Sequence, residues 1–122
     1  MLGKPSVDRP GGPTPLSPDE CSAVADFLQG FANPVRIRIL CCLHEGPKNV
    51  SQVSVATGEK VSNVSQQLKI LLQKGYVTRQ KRERQVFYEI RNPAICELME
   101  LVRDIVFGGS VRAVKSDACS HG

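Results

Sequence analysis

Apolar residues along this chain recur at two different intervals, and the intervals divide it into elements. Ser17, Pro18 and Glu20 sit where an N-cap, a first helical position and the reciprocal partner of a capping box belong. Cys21, Val24, Ala25, Leu28 and Phe31 then follow at spacings of three and four, the stripe of an amphipathic helix. In "NPVRIRILCCLHEGP", Asn33 caps, Pro34 starts, and Gly46 and Pro47 stop a second helix. At about 100° per residue, Val35, Ile39, Cys42 and Leu43 share one face of it. Ile37, Leu40 and Cys41 make a second apolar surface, so the helix should lie between neighbours. "VSQVSVATG" predicts a short helix ended by Gly58. "KVSNVSQQLKILLQKG" predicts a longer one, with Val61, Val64, Leu68, Leu71 and Leu72 on one side and Gly75 at the C′ position.

The interval then falls to two. In "YVTRQKRERQVFYEI", Val77, Arg79 and Lys81 alternate with their neighbours, as do Val86, Tyr88 and Ile90, around a charged turn "RERQ". This predicts a hairpin, although the Asn-Gly or Asp-Gly of a two-residue turn is missing. Asn92 and Pro93 open a last helix with a stripe at Ile95, Leu98, Met99, Val102, Ile105 and Val106, ended by Gly108 and Gly109. Residues 1–16 hold four prolines and three glycines without periodicity. The expected organisation is a flexible tail over 1–16, one folded domain over 17–108, and a second flexible tail over 109–122. The order predicted is four helices, a hairpin and a helix, without internal repeats.

Composition narrows the class. A chain of 122 residues has the size of one domain. It lacks Trp and has few aromatics, so its core is aliphatic and small enough to gain from oligomerisation. No run approaches the roughly 18 apolar residues of a membrane span, and the first residues lack the apolar stretch of a signal peptide, so no membrane role and a cytoplasmic location are expected. The five cysteines (21, 41, 42, 96, 119) are then expected as thiols, and without a CxxC pair they form neither a disulfide framework nor a zinc ribbon.

Charge is uneven. The whole chain carries +4. Residues 69 to 91 alone hold Lys69, Lys74, Arg79, Lys81, Arg82, Arg84 and Arg91 against Glu83 and Glu89, seven minus two, or +5. A basic strip points to a polyanion, against the alternative of an ordinary solvated strand surface. A short helix, a turn at Gly58, a helix with a polar face and a basic hairpin follow one another in the order of a helix-turn-helix with a wing. That order makes double-stranded DNA the expected partner. Ser62, Asn63, Ser65, Gln66, Gln67 and Lys69 form the polar face, where Asn and Gln can read adenine and Ser a base or a phosphate. Lys81, Arg82 and Arg84 suit phosphates or the minor groove. The alternatives are a solvated polar face, or a winged module that binds protein. An enzyme is not expected: there are two histidines, neither in a recognisable Cys–His or Ser–His–Asp setting, and no Gly-rich phosphate loop.

"FANPVRIRILCCLHEG", "SNVSQQLKILLQKGYV" and "RQVFYEI" together resemble the ArsR/SmtB family of bacterial repressors, over about residues 20 to 107. Gln67 departs from the pattern, since many members carry His there. The resemblance implies a winged helix-turn-helix homodimer joined through its first and last helices. It also implies operator binding at rest and release by an inducer. The recognition helix would contribute Ser62, Asn63, Ser65, Gln66 and Gln67, and the wing Arg82 and Arg84.

The family's inducer sites match unevenly. A Cys-Val-Cys-like motif is missing from the third helix. On the last helix only Asp104 matches the Asp/His zinc type, and it is expected to be a solvated charge. The type that pairs recognition-helix cysteines with a tail cysteine finds only Cys119. The sulfur-sensing, BigR/HlyU-like branch is the best match, because "ILCCL" places Cys41 at its first sensor position. The second sensor position falls on Phe107, and Cys96 lies about three turns earlier, roughly 16 Å at 1.5 Å per residue. Candidate sensors are therefore Cys41, Cys96 and Cys119. Cys119 and His121 form a thin candidate site for a soft metal ion, which Cys21 or Cys96 would have to complete. No cofactor is otherwise implied. Adjacent helical residues point about 100° apart, so Cys41 and Cys42 serve different faces. Packing is the preferred reading of both, with Cys41 the better candidate for chemistry. Cys21 is read as packing, and His44 as a cap on the carbonyls that end its helix.

Overall fold

The computed structural model describes residues 15–108. Both expected tails fall largely or wholly outside that range, and Cys119 and His121 with them. The elements are α1 (Pro18–Leu28), α2 (Pro34–Leu43), α3 (Val50–Thr57), α4 (Val61–Gln73), β1 (Val77–Arg82), β2 (Gln85–Ile90) and α5 (Ala94–Phe107), with a 3-10 turn at Gln29–Phe31 after α1. This is the winged helix-turn-helix order the periodicities predict.

The starts and stops follow the local chemistry. Ser17 accepts from the Glu20 amide while the Glu20 carboxylate accepts from the Ser17 amide, closing the capping box of α1. Asn33 accepts from the amides of Val35 and Arg36. Asn49 and Gln52 form a second box at α3. Gly58, with φ of 77°, ends α3 in the left-handed region and turns the chain into α4.

Ile39, Leu40, Leu43, Val53, Val64, Leu68, Leu71 and Val77 form the centre of the core, joining α2, α3, α4 and the hairpin. Leu40 belongs to this core, so the second apolar surface expected on α2 shrinks to Ile37 and Cys41, because α2 is enclosed on more than one side. Tyr76, between α4 and β1, is fully buried. Its ring stacks on Phe27 at 4.2 Å and meets Phe31 edge-on at 5.0 Å, and its hydroxyl donates to the Phe27 carbonyl at 2.6 Å. Burial pushes the Tyr76 phenol up to about 12. Gly30 passes directly against this ring, where a Cβ would overlap it.

The hairpin pairs Val77 with Ile90 and Arg82 with Gln85, leaving Glu83 and Arg84 as a two-residue turn. Both have positive φ, 48° and 77°, so the turn takes the twist that suits strands even without Asn-Gly. Lys48 adds a bridge to Tyr88, with hydrogen bonds of 3.0 and 2.9 Å in the two directions. The loop after α2 therefore anchors the base of the hairpin.

Helices α1 and α5 behave differently. No residue of α1 is buried, and Val24 and Leu28 of its stripe face outward. Helix α5 docks through Ile95 and Met99. Beyond that point Val102, Ile105, Val106 and Phe107 are exposed.

Candidate nucleic-acid interface

The turn at Gly58 brings α4 out of the core with one side bare. Ser62, Ser65, Gln66 and Lys69 are exposed on it. Their spacings of three and four place them along a single stripe, opposite the buried Val64, Leu68 and Leu71. Lys60 caps α4 without a side-chain bond, so the first backbone N–H groups of the helix remain open donors at its positive end.

Asn63 and Gln67 do not share this exposure. Both are half-buried, and their amides close a chain of hydrogen bonds along the inner edge of α4. Arg38 pairs with Glu59. Glu59 Oε1 accepts from Asn63 Nδ2 at 3.0 Å, and Asn63 Oδ1 accepts from Gln67 Nε2 at 3.2 Å. Gln67 Oε1 accepts from Arg36 Nη1 at 2.9 Å. Arg36 also donates to the carbonyls of Gly30 at 3.1 Å and Gln29 at 2.9 Å. This network ties α4 to α2 and to the turn after α1, so two of the six polar residues expected on the outer face have their amide groups committed to holding the helix. Sequence reading passed over Arg36, Arg38 and Glu59. The spacing of four from 59 to 63 to 67 was a usable signal for the helical part of the chain; nothing local connects Arg36 to Gln67.

The wing carries Lys81, Arg82 and Arg84, all exposed. Arg82 lies over the Phe87 ring at 5.5 Å and donates to Gln80 at 3.2 Å, which holds its stem along the strand. Asn49 donates to Gln85 at 2.8 Å, fixing the wing to the start of α3. A stripe of hydroxyl, amide and ammonium groups and a basic hairpin are thus set in fixed relation by the core between them.

Of the candidate sensors, Cys41 and Cys96 are described, and they line a groove between α2 and α5. Cys42 is buried in the core and Cys41 is half-buried. Burial pushes both thiols up, with Glu45 and Cys41 adding to the rise at Cys42 and Lys48 opposing it. Cys21 is exposed, against its expected packing role, because α1 meets the core of this chain through Phe27 and leaves Cys21 outside that contact. His44 closes α2 as expected, its backbone N–H donating to the Leu40 and Cys41 carbonyls at 3.0 and 3.3 Å, while its side-chain Nδ1 lies 3.0 Å from Cys96 Sγ on α5, a Cys–His pair that the sequence separation of 52 concealed. One more expectation needs correction. Asp104 is not solvated: it is 6% exposed, its Oδ1 has no hydrogen-bond partner, and Arg103 Nη1 stands 3.9 Å away. Among the described residues no three of His, Cys, Asp and Glu converge as a metal site would require.

Residues 33–79 match the model of the arsR family of bacterial regulatory proteins. The HTH-type transcriptional regulator NmtR of Mycobacterium tuberculosis is 33% identical over 70% of this chain and 72% of its own length. A homodimeric winged helix-turn-helix DNA-binding domain from Mycobacterium bovis superposes with a TM-score of 0.65 at 27% identity, covering 70% of this chain and 80% of that one. The transcriptional repressor BigR from Xylella fastidiosa gives 0.64 at 28% identity, covering 71% and 89%. With helix order, wing, sequence and superposition in agreement, the chain belongs to the arsR family of bacterial regulatory proteins.

Proposed function

We propose that this chain is a homodimeric, sequence-specific DNA-binding transcriptional repressor that acts by binding rather than by catalysis, in the cytoplasm where its operator lies. The observation that carries this reading is the exposed stripe Ser62, Ser65, Gln66 and Lys69 on α4 beside the basic wing. The N-terminal half of α4 enters the major groove, with Gln66 and the two serines at base edges. Lys69, Lys81, Arg82 and Arg84 take phosphates and set the register. Asn63 and Gln67 serve chiefly to hold α4 in its angle through Arg36. The M. bovis neighbour, described as homodimeric and DNA-binding, and the X. fastidiosa neighbour, described as a repressor, support the same reading. The bare apolar faces of α1 and α5 are the surfaces a second copy would cover.

Fluorescence anisotropy on the DNA upstream of the chain's own gene tests this. Gln66→Ala should cost about 1–3 kcal/mol on the operator and little on unrelated DNA. Arg82→Ala with Arg84→Ala should weaken binding to all sequences, and should lower the slope of log affinity against log salt by about two. Equal loss on operator and random DNA for Gln66→Ala would remove it from base reading. An unchanged salt slope would remove the wing from the interface.

A further inference from the structure

Val61 opens α4, and the spacing of its apolar residues puts it on the buried side with Val64, Leu68 and Leu71. Those three are fully buried, whereas Val61 is 51% exposed. The edge of the core on α4 is made by Val64, Leu68, Leu71 and Leu72. The faces left for a second copy lie elsewhere: among the described residues, those lining the groove beside α5 come from α1, α2, α5 and the loops after α1 and α2. Local structure does not ask for an apolar side chain here either. Valine is a middling helix former, and the first turn of a helix favours proline or acidic residues. Position gives Val61 a use. At about 100° per residue it stands one turn before Ser65 and about 40° from it, with Gln66 about 140° round the helix. The exposed stripe Ser62, Ser65, Gln66 and Lys69 is thus flanked at its leading end by two branched methyl groups. Branching at Cβ restricts χ1, so these methyls have little freedom left to lose on contact.

We propose that Val61 is a specificity-determining residue that reads a thymine 5-methyl group in each half of the operator. The inference rests on the DNA-binding reading above and adds to it an apolar base contact that hydrogen-bonding side chains cannot make. The N-terminal residues of a recognition helix are the ones that meet base edges in the major groove. Of the groups the four bases present there, the thymine methyl is the apolar one. A cytosine in its place would set an amino group against the valine methyls and leave that donor unpaired. Gln66 and the two serines read hydrogen-bonding groups, and Val61 reads shape beside them. The contact is uncharged, so it contributes to sequence preference and not to salt dependence.

The experiment is fluorescence anisotropy of the full-length protein on the DNA upstream of its own gene, with thymines exchanged for deoxyuridine one symmetric pair at a time. The exchange deletes the methyl and keeps every hydrogen-bonding group of the base pair. Burying one methyl is worth about fourfold in affinity, so one pair of thymines should show a loss of roughly fourfold for each half-site. Val61→Ala withdraws the branched methyls without opening the core. It should weaken operator binding by a similar factor, leave random DNA and the slope of log affinity against log salt unchanged, and abolish the deoxyuridine penalty at that pair. Gln66→Ala should keep the penalty. The proposal is overturned if no exchange weakens the unmodified protein, or if the penalty persists in Val61→Ala. Equal loss on operator and random DNA for Val61→Ala also overturns it, since that marks a residue that merely shapes the helix. Tight operator binding that ignores every methyl sinks this inference alone. A protein that binds neither its operator nor random DNA sinks the DNA-binding reading, and this inference with it.

Discussion

Helices α4 and α5 carry apolar stripes of the same period, yet only one of them is covered. On α4, Val64, Leu68 and Leu71 are wholly buried. On α5, Ile95 is buried, but Ile105 is 80% and Phe107 74% exposed. The difference lies in what surrounds each helix. Short connections on both sides hold α4 against α2, α3 and β1. Helix α5 leaves the hairpin at the edge of the core, buries Ile95, Cys96 and Asp104, and leaves the apolar residues of its last turns bare. Period tells which side of a helix is apolar. It is silent on whether this chain or a second one supplies the cover.

Opposed truncations on the two stripes test that contrast most strongly. Leu68→Ala should cost about 2–5 kcal/mol, read as a lower urea midpoint, since it leaves a cavity in a packed core. Ile105→Asp should leave the circular dichroism spectrum in place and convert a dimer to monomers in sedimentation. A dimer that survives Ile105→Asp would place the interface elsewhere. Next in size is the seam that fastens α1: Gly30→Ala drives a methyl into the Tyr76 ring and should cost about 1–3 kcal/mol, visible in the thermal midpoint. The same seam should be sensitive to alkali. The folded Tyr76 phenol titrates at about 12 against an ordinary value of 10.0, so the fold favours the neutral form. That stability is whole below pH 10 and should be lost as pH rises toward about 12. Tyr76→Phe should flatten the fall in urea midpoint over that window. The smallest effect is expected at the wing. Glu83→Asn with Arg84→Gly puts residues that tolerate left-handed backbone at both turn positions and should add about 1 kcal/mol of stability, while weakening DNA binding through the missing arginine. Gain and loss in one variant would separate the fold of the hairpin from its use.

Much of this architecture was legible beforehand because its signals are local. The Ser17–Glu20 box, Asn33, Gly58 and Gly75 act within a turn of themselves, and the switch from spacings of three and four to spacings of two at the hairpin is visible without any partner. The polar face of α4 was legible as a face, and Ser62, Ser65, Gln66 and Lys69 keep it. Asn63 and Gln67 lie half-buried at the inner edge of that face, because the side of a helix on which an amide finds its partner depends on Arg36 and on a carboxylate brought in by packing. Asp104 failed as an expectation for the same reason, buried by tertiary placement, and the reach of the His44 ring to Cys96 was hidden likewise, although His44 caps α2 as expected.

The amino-acid sequence by itself determined the elements, their order, the basic strip and the resemblance to a regulator family, because caps, periodicity and charge act over a few residues. Only the tertiary structure decided which cysteine has a base beside it, which amides are spent within the protein, and which apolar stripes remain bare. Those outcomes depend on groups tens of residues apart reaching within about 3 Å of each other, and the spacing of residues along a chain does not encode that distance.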